Sequence, residues 1–338
     1  MKKLQLALLG MGRMGKTHYD NISQYCAGAS IVVVADPFYK PADGEFGSGV
    51  RFVRDPEAAI ADPEVEAVVI ATPTGTHADM VEKAIACRKP VFCEKPLDLS
   101  LQRTAVIEAM ARKAGIQLML GFNRRFDPDF LQARQAVQEG RIGRVHIVKI
   151  TNRDPDLPPI PFLKTSGGLF MDFSIHDFDM ARYITGKNVV EVYARGAALI
   201  DPAVATEAAD IDTALITLTF EDGTWALIDN SRKAVFGYDQ RLEIFGDTGM
   251  IQVGNNLYHH NVFSDNSGIH YALPLRSFPE RYARSYVNEI EAFVQTILEG
   301  GEPPATAADS LQATLMAEAA GRSMQEGRPV KLSEISLD

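Results

Sequence analysis

The stretch LQLALLGMGRMGKTH, residues 4–18, decides the fold. A continuous apolar run ends in glycine, and Gly10, Gly12 and Gly15 then form a GxGxxG pattern at the start of a helical segment. In this setting the first glycine permits a tight turn, the second lets the backbone approach a pyrophosphate, and the third allows close packing of helix on strand. The stretch therefore predicts a strand–turn–helix unit that binds a dinucleotide.

An acidic residue stands where such a unit needs one. Asp36 follows Gly15 by 21 positions, at the end of the β-branched run SIVVVA. A carboxylate there can accept hydrogen bonds from the ribose hydroxyls and repel a 2′-phosphate. Pro37 occupies the next position, where a phosphate-binding side chain could stand, so NAD is favoured over NADP. Lys40 lies close enough to weaken that preference.

Apolar runs without polar alternation recur through the first third of the chain, at residues 65–74, 89–96 and 116–122. Helical patterns separate them, near residues 16–25, 78–87 and 100–114. Strands that lack alternation are buried on both faces, which is typical of a parallel sheet covered by helices. The predicted fold class is therefore α/β, a doubly wound Rossmann sheet.

The pattern changes after residue 121. The predicted strands become longer and partly alternating, at residues 144–153, 189–197, 212–232 and 238–253, and EDGT within the third of these is a hairpin signal. This pattern predicts an α+β domain with a large, mostly antiparallel open sheet, and helices follow near residues 282–299 and 307–325. We predict an NAD-binding domain over residues 1–121 and a substrate-binding and oligomerisation domain over residues 122–338.

Composition narrows the function classes. The chain has 338 residues, of which 46% are hydrophobic and 23% charged, and its formal net charge is −10. The negative charge argues against nucleic acid or an anionic membrane surface as partner. Cys26, Cys87 and Cys93 lack close metal-binding spacing, which favours reduced thiols in a cytoplasmic protein. No apolar run reaches membrane-spanning length, and no set of histidines and carboxylates has metal-ligand spacing, so we expect neither a membrane partner nor a metal site.

Two predicted strands end in polar sequences, ATPTGTH at residues 71–77 and CEKP at residues 93–96. The carboxyl ends of parallel strands form the edge at which a doubly wound sheet holds its ligand. Lys95 is therefore expected to point into the cleft, and Pro96 to fix the turn beyond it. A solvated lysine at a strand end is the alternative.

The stretch GGLFMDFSIHDFD, residues 167–179, mixes acids and a histidine with large apolar side chains. On a helix, positions 172, 176, 179 and 183 share one face, so Asp172, His176 and Asp179 form a polar stripe beside an apolar one. This arrangement suits a helix that lines a cleft with one face and is anchored by the other.

Together, GMGRMG, ATPTGTH, CEKP and GGLFMDFSIHD resemble the Gfo/Idh/MocA oxidoreductase superfamily over nearly the whole chain. The stretches SGGLFMDFSIHDFDMARYITG, DIDTALITL and IDNSRKAVFGYDQRLEIFG are similar to its inositol 2-dehydrogenase branch. The resemblance implies NAD-dependent oxidation of a secondary alcohol of a cyclic polyol, above all myo-inositol to 2-keto-myo-inositol (scyllo-inosose), in inositol catabolism.

The resemblance also implies that Lys95, Asp172 and His176 form the catalytic set. A histidine suits the role of base, since the ordinary imidazole pKa of about 6.5 lies near working pH. The aspartate can orient the imidazole or accept from substrate hydroxyls, and the lysine ammonium can polarise the substrate oxygen. A lysine base remains open as the alternative division of roles.

Further contacts are expected around both ligands. The expected cofactor-binding residues are Gly10, Gly12, Arg13, Met14, Gly15, Asp36, Thr72, Thr74, His77, Glu94 and Lys95. The resemblance implies, more loosely, that the substrate is bound by Lys95, Arg125, Asp154, Asp172, His176, Asp179 and Tyr238, with Asn152 as a weaker candidate. Structural alternatives are a bridge between the domains for Arg125, a strand start for Tyr238, and a helix cap for His77.

Two other functions compete with the leading one. The first is the same chemistry on scyllo- or chiro-inositol or on a cyclic sugar, because isomer choice depends on the loop at residues 154–164. The second is a nucleotide- or sugar-binding sensor without turnover, which the fold alone would permit. A sensor needs no base, so the presence of the whole catalytic set favours an enzyme. The resemblance further implies a homotetramer.

Overall fold

The computed structural model describes residues 3–336. The chain forms two compact units. The first runs through Phe126 and also includes Arg284–Thr314, and the second comprises Asp127–Ala283 and Leu315–Ser336. The sequence predicts a single domain boundary, at residue 121. In the structure, the first compact unit also contains a segment from the C-terminal third of the chain.

A six-stranded parallel sheet forms the centre of the first unit, with strand order β3-β2-β1-β4-β5-β6. Its strands are β1 Leu4–Leu9, β2 Ala29–Ala35, β3 Arg51–Val53, β4 Ala67–Ile70, β5 Val91–Cys93 and β6 Leu118–Leu120. The helices between them are α1 Arg13–Tyr25, α2 Pro56–Ala61, α3 His77–Ala86 and α4 Leu101–Ala114, with 3₁₀ turns at Thr74–Thr76 and Asn123–Phe126. All five strand pairs are parallel. The predicted doubly wound sheet is confirmed.

The parallel sheet is buried on both faces, as its unbroken apolar runs predict. Every residue of β4 is buried with no exposed surface, from Ala67 to Ile70. The strand order reverses between β1 and β4, and the carboxyl ends of these two strands are where a sheet of this order holds its ligand.

The second unit contains a seven-stranded sheet with strand order β12-β11-β7-β10-β9-β8-β15. Its strands are β7 Val145–Arg153, β8 Val189–Ala197, β9 Thr213–Phe220, β10 Trp225–Ser231, β11 Asp239–Gly246, β12 Met250–Val253 and β15 Val330–Lys331, and β13 Val262–Asp265 pairs with β14 Gly268–Tyr271 as a separate hairpin. Only β7 and β10 pair in parallel within the large sheet; the other pairs are antiparallel. The predicted mostly antiparallel sheet is confirmed, and EDGT joins β9 to β10 as predicted.

The remaining helices follow in chain order. They are α5 Pro128–Gln138, α6 Ile160–Leu163, α7 Ile175–Thr185, α8 Pro202–Ala208, α9 Phe278–Arg281, α10 Ala283–Glu299 and α11 Ala307–Glu326. A π-helical turn at Phe170–Ser174 leads directly into α7. Within residues 3–336, no helix is long and apolar enough to cross a membrane.

Alternation along the strands gives the large sheet one buried and one open face. Val148, Ile150 and Ile228 face the core and are at most 4% exposed. On the opposite face, Leu215 and Trp225 are 56% and 58% exposed. The open face expected from the sequence is therefore present, and it is rich in apolar side chains.

Helix α10 packs within the first unit, although it lies late in the chain. The Phe293 ring lies 5.9 Å from the ring of Phe92 in β5, and a Cβ added at Gly28 would lie 3.1 Å from Val294. The apolar face of α10 is what brings residues 284–314 to the first sheet. The sequence of an amphipathic helix shows which face is buried but does not show which of two sheets that face will cover.

Candidate active site

The glycine loop has the geometry that a bound dinucleotide needs. Gly10 has a φ of +89°, and a Cβ there would lie 2.6 Å from the carbonyl oxygen of Ala71. A Cβ at Gly15 would lie 1.9 Å from the carbonyl oxygen of Gly10, whereas one at Gly12 would meet nothing within 4 Å. The first and third glycines are therefore required by packing, and the second leaves open space at the N-terminus of α1. Backbone N–H groups at such a terminus favour an anion.

Asp36 lies at the end of β2 and organises the same loop. Its Oδ2 accepts a hydrogen bond from the N–H of Met11 at 2.8 Å, and its Oδ1 accepts from the N–H groups of Phe38 and Tyr39, both at 2.8 Å. Partial burial raises the pKa of Asp36, but these three bonds outweigh it and lower the pKa below its ordinary value. These bonds thus favour the ionised carboxylate beside the glycine loop.

The predicted cofactor residues at the end of β4 surround a buried histidine. His77 is 1% exposed. Its Nδ1 lies 2.8 Å from the carbonyl oxygen of Pro96, and its Nε2 lies 2.8 Å from that of Thr72. The imidazole therefore connects the segment after β4 to the segment after β5. Both partners are acceptors, so a neutral ring donates to one of them, and the tautomer decides which.

Lys95 follows β5 and lies half-buried at the carboxyl edge of the parallel sheet. The segment around it is fixed by backbone bonds: the N–H of Glu94 donates to Ile70 at 2.9 Å, and the N–H of Gly121 donates to Cys93 at 2.8 Å. The peptide bond between Lys95 and Pro96 is cis. The structure thus places Lys95 after β5, and its contact with a ligand stays a prediction.

The sequence predicts one continuous helix after Gly168, but the structure has a π turn over Phe170–Ser174 before α7 begins. Asp172 lies in this π turn and His176 lies in the first turn of α7. A π turn contains one more residue than the corresponding α turn, and such turns occur often at functional sites. The predicted polar stripe, drawn with α-helical spacing, therefore applies to α7 but not across the π turn.

Asp172 pairs with Arg232, which the sequence analysis did not single out. Both Nη atoms of Arg232 donate to Oδ2 of Asp172 at 3.1 Å. The guanidinium is 1% exposed, and its carbon lies 5.3 Å from the centre of the Phe173 ring. A buried cation thus fixes the orientation of the aspartate. The 60 residues between the partners explain why no local pattern indicated the pair.

A buried polar network anchors the other face of this helical segment. Oδ2 of Asp177 accepts from the side-chain amides of Asn152 and Asn230, both at 2.8 Å. Ser174 donates to Oδ1 of Asn230 at 2.5 Å, and Gln240 donates to Oδ1 of Asn152 at 2.6 Å. All five residues are at most 1% exposed. The network ties the π turn and α7 to β7, β10 and β11. Asp177 thus anchors the helix on one face, while Asp172 pairs with Arg232.

The remaining expected substrate residues lie at separate places in the fold. Arg125 is buried, donates to the carbonyl oxygen of Pro304 at 2.8 Å and pairs with Asp309 at 3.0 Å. Burial raises the pKa of Asp309, but the charge of Arg125 outweighs this effect and the pKa falls to about 2. Asp179 is 1% exposed, and Tyr238 is 6% exposed.

Three of the expected substrate residues have structural contacts. The Tyr238 ring lies at 90° to that of Tyr282, with centroids 6.0 Å apart. The backbone N–H of Asp154 donates to Ser231, and its carbonyl oxygen accepts from Ala234 at 2.6 Å. Asn152 belongs to the buried network and has no exposed surface. Substrate contacts by these residues stay predictions.

The fold also assembles a group that spacing along the chain did not indicate. Atoms of His18, Glu94 and Glu289 lie within 4.8 Å of one another in the first unit, as ligands of a metal ion would. His18 comes from α1, Glu94 follows β5 and Glu289 lies in α10. Such long separations cannot be recognised by a spacing rule.

These features define a class of protein. A parallel sheet of this strand order, a GxGxxG turn and an acid after β2 form a dinucleotide-binding Rossmann domain, whose residues fit NAD. A second α/β unit built on a mostly antiparallel sheet follows it in the chain.

Comparison with known families specifies that class. A family described as "Oxidoreductase family, NAD-binding Rossmann fold" matches residues 4–122, and one described as "Oxidoreductase family, C-terminal alpha/beta domain" matches residues 134–332. The chain belongs to the Gfo/Idh/MocA oxidoreductase family. It is an NAD-dependent oxidoreductase.

Individual relatives cover almost the whole chain. The inositol 2-dehydrogenase of Rhizobium meliloti is 42% identical over 98% of this chain and 99% of its own length. The myo-inositol 2-dehydrogenase of Thermotoga maritima is 39% identical, again over 98% of this chain and 99% of its own length. The crystal structure of scyllo-inositol dehydrogenase from Lactobacillus casei, with bound NAD(H) and scyllo-inositol, is 31% identical with a TM-score of 0.90, over 98% of this chain and all of that chain.

Proposed function

We propose that the protein oxidises a secondary alcohol of a cyclic polyol with NAD, and that its substrate is myo-inositol, converted to scyllo-inosose. One observation carries the proposal. Asp172, held by a buried arginine, and His176 lie four residues apart on a segment anchored by a buried polar network. The relatives named as inositol dehydrogenases, at 42% and 39% identity over nearly the full length, support the substrate.

The chain's own residues perform acid–base and electrostatic work in this reaction. His176 takes the hydroxyl proton as general base, a role for which a neutral imidazole is suited. Asp172, oriented by Arg232, stabilises the imidazolium that forms. Lys95 supplies a positive charge to the developing alkoxide oxygen. NAD, when bound, supplies the hydride acceptor.

The binding residues belong to the same proposal. The glycine loop and the N-terminus of α1 hold the pyrophosphate, and Asp36 accepts from the ribose hydroxyls. The remaining cofactor contacts proposed are Arg13, Met14, Thr72, Thr74, His77, Glu94 and Lys95. The proposed substrate contacts outside the catalytic set are Arg125, Asp154, Asp179 and Tyr238.

A second substrate has a specific observation in its favour. The scyllo-inositol dehydrogenase structure from Lactobacillus casei shares the fold at a TM-score of 0.90, so the same scaffold accepts the scyllo isomer in that protein. Its identity to this chain, 31%, is below that of the two relatives named above, and we therefore place scyllo-inositol second.

We also propose a homotetramer that works in inositol catabolism in the cytoplasm. The open sheet face supports self-association, since it exposes Ile147, Leu215, Trp225 and Phe245 by 39% to 58%. The β13–β14 hairpin is exposed along its whole length and adds further apolar surface. Three free cysteines suit a reducing compartment. Light scattering of the purified protein tests the tetramer.

The substrate assignment is tested by NADH formation against a panel of inositol isomers and cyclic sugars. We expect the largest kcat/KM for myo-inositol, with scyllo- and chiro-inositol behind it. His176→Ala on the same panel is the control, because it removes the base without touching the cofactor loop. An aldopyranose that surpasses every inositol would overturn the substrate, and binding of NAD without turnover of any compound would overturn the enzyme assignment.

A further inference from the structure

Two carboxyl groups and a histidine meet in the interior of the first unit. His18 and Glu289 have no exposed surface, and the side chain of Glu94 is 12% exposed. Nε2 of His18 lies 2.7 Å from Oε1 of Glu94. Both carboxyl oxygens of Glu289 lack a hydrogen-bond partner among the described residues, as does Nδ1 of His18. An ionised carboxylate buried without a partner is expensive, so this arrangement needs a compensating proton or cation.

The 2.7 Å contact decides between those two. A cation held by all three groups would keep the imidazole nitrogen and the carboxylate apart as separate ligands, whereas a direct hydrogen bond of normal length uses the nitrogen as a donor to Glu94. Nε2 of His18 thus donates its hydrogen bond to Glu94. Glu289 lies near this Glu94 carboxylate, which is negatively charged. A proton on Glu289 removes the second charge.

The other members of the cluster set the charge around Glu289. Glu289 lies on α10, and the other two members of the cluster are Glu94 after β5 and His18 in α1. On its own helix, the Tyr286 ring lies 6.3 Å from the His18 ring. Burial and then the charge of Glu94 raise the pKa of Glu289 well above its ordinary value. The positions of these groups and the direction of the pKa shift therefore both favour a protonated Glu289.

We propose that Glu289 is a neutral carboxylic acid whose proton is held towards the Glu94 carboxylate, and that the His18–Glu94–Glu289 cluster positions Lys95. A hydrogen bond from Glu289 to Glu94 needs a side-chain adjustment of no more than about 2 Å, since the groups already lie within 4.8 Å. No proton is transferred in this role.

The link to Lys95 runs through a short, doubly held segment. Glu94 immediately precedes Lys95, and a Cβ at Gly121 would lie 2.9 Å from Oε2 of Glu94, so the carboxylate is enclosed by backbone as well. On the other side, the carbonyl oxygen of Pro96 lies 2.8 Å from Nδ1 of the buried His77. Lys95 is thereby fixed between two buried histidines. That this fixation matters for turnover rests on the proposed role of Lys95 in the reaction.

The first test is the pH dependence of stability, which needs no substrate. Glu289→Gln is compared with the wild type by urea unfolding followed by circular dichroism between about pH 5 and 8. A folded state that keeps a proton which the unfolded chain releases loses stability as pH rises above the ordinary glutamate pKa of about 4.3. The unfolding constant of the wild type should therefore rise relative to that of Glu289→Gln by about tenfold per pH unit, until Glu289 itself ionises.

The matched control is Glu291→Gln, the same change two residues along α10 on a side chain that is 42% exposed. Its unfolding constant should keep a fixed ratio to the wild type across the range. A fixed ratio for Glu289→Gln as well would overturn the neutral acid. Stoichiometric metal in the wild type that Glu289→Gln loses, measured by mass spectrometry of the metal content, would overturn it in favour of a cation.

The second test separates positioning from mere packing. Glu289→Gln keeps a donor towards Glu94 and should keep kcat within about threefold, whereas Glu289→Met fills the space without a donor and should lower kcat by about tenfold or more while NAD still binds. Equal kcat values in the two variants would overturn the positioning role. If the linkage appears but no polyol is oxidised, the proton assignment stands and the proposed function fails.

Discussion

Replacing Asp36 by asparagine tests the cofactor site most directly, because the change removes a charge and keeps the shape. The wild-type carboxylate is held by three N–H donors at 2.8 Å, so its position is fixed before any cofactor binds. Two unit charges about 4 Å apart repel by about 1 kcal/mol in bulk water and about 4 kcal/mol near a protein surface. Since Asp36 is half-buried, we expect about 1–3 kcal/mol of discrimination against a 2′-phosphate.

The assay is kcat/KM for NAD and for NADP with the same polyol. One to three kcal/mol corresponds to about 5- to 150-fold, and the NAD preference should fall by that factor in Asp36→Asn. The asparagine also loses one of two acceptor oxygens, which loosens the loop at Met11. That loss affects both cofactors alike and cancels in the ratio.

Asp43→Asn is the matched control, since it changes the net charge equally at an exposed position seven residues away. It should leave the ratio of the two kcat/KM values unchanged. The reasoning is refuted if Asp36→Asn keeps the wild-type ratio within about twofold, or if the wild type uses both cofactors equally well.

Four further changes have defined outcomes. His176→Ala should lower kcat/KM by about 10² to 10⁴ and remove the acid limb of its pH profile, because only a neutral imidazole accepts a proton. Lys95→Met should reduce turnover to a residual level while calorimetric titration still shows NAD binding; residual turnover without the acid limb, with survival of that limb in the histidine variant, would make the lysine the base. Arg232→Met should lower kcat/KM and reduce the free energy of unfolding by up to about 3 kcal/mol, since it breaks a buried pair, whereas Arg276→Met breaks an exposed pair and should cost less than about 1 kcal/mol. Asp309→Asn should destabilise by about 2 kcal/mol at neutral pH, because a folded pKa of about 2 against an ordinary 3.8 gives stability that is present above pH 4 and lost as pH falls towards 2; urea midpoints that differ equally at pH 7 and pH 3 would contradict this.

The features that could be predicted from the sequence are those set by neighbours in the chain. The glycine loop, the acid after β2 and the EDGT hairpin each depend on a few consecutive residues whose backbone requirements are specific. The two sheets could be told apart by the spacing of apolar residues. A strand buried on both faces has a continuous apolar run, whereas a strand buried on one face alternates apolar and polar residues. These predictions concern local structure and which side of an element is buried.

What the sequence did not indicate depends on tertiary contacts. Arg232 pairs with an acid 60 residues away, and Glu289 approaches Glu94 only because α10 packs on the first sheet. Asp179 belongs to the predicted polar stripe and Asp177 lies on the other face of the helix, yet both are buried. Asp177 can be buried because Asn152 and Asn230, on two strands of the large sheet, donate hydrogen bonds to its carboxylate. The sequence of the helix alone does not show that these donors exist.

The π turn at Phe170–Ser174 is equivalent to an α-helix into which one extra residue has been inserted. Deleting Phe173 from that turn would restore an ordinary α-helix, leave Ser174, α7 and the anchoring network in register, and rotate everything before it by roughly 100° about the helix axis. Asp172 would then swing away from Arg232, while His176 kept its place. A single codon thus controls the relative orientation of the two side chains, so a relative that differs by one residue here differs in geometry even when both residues are retained.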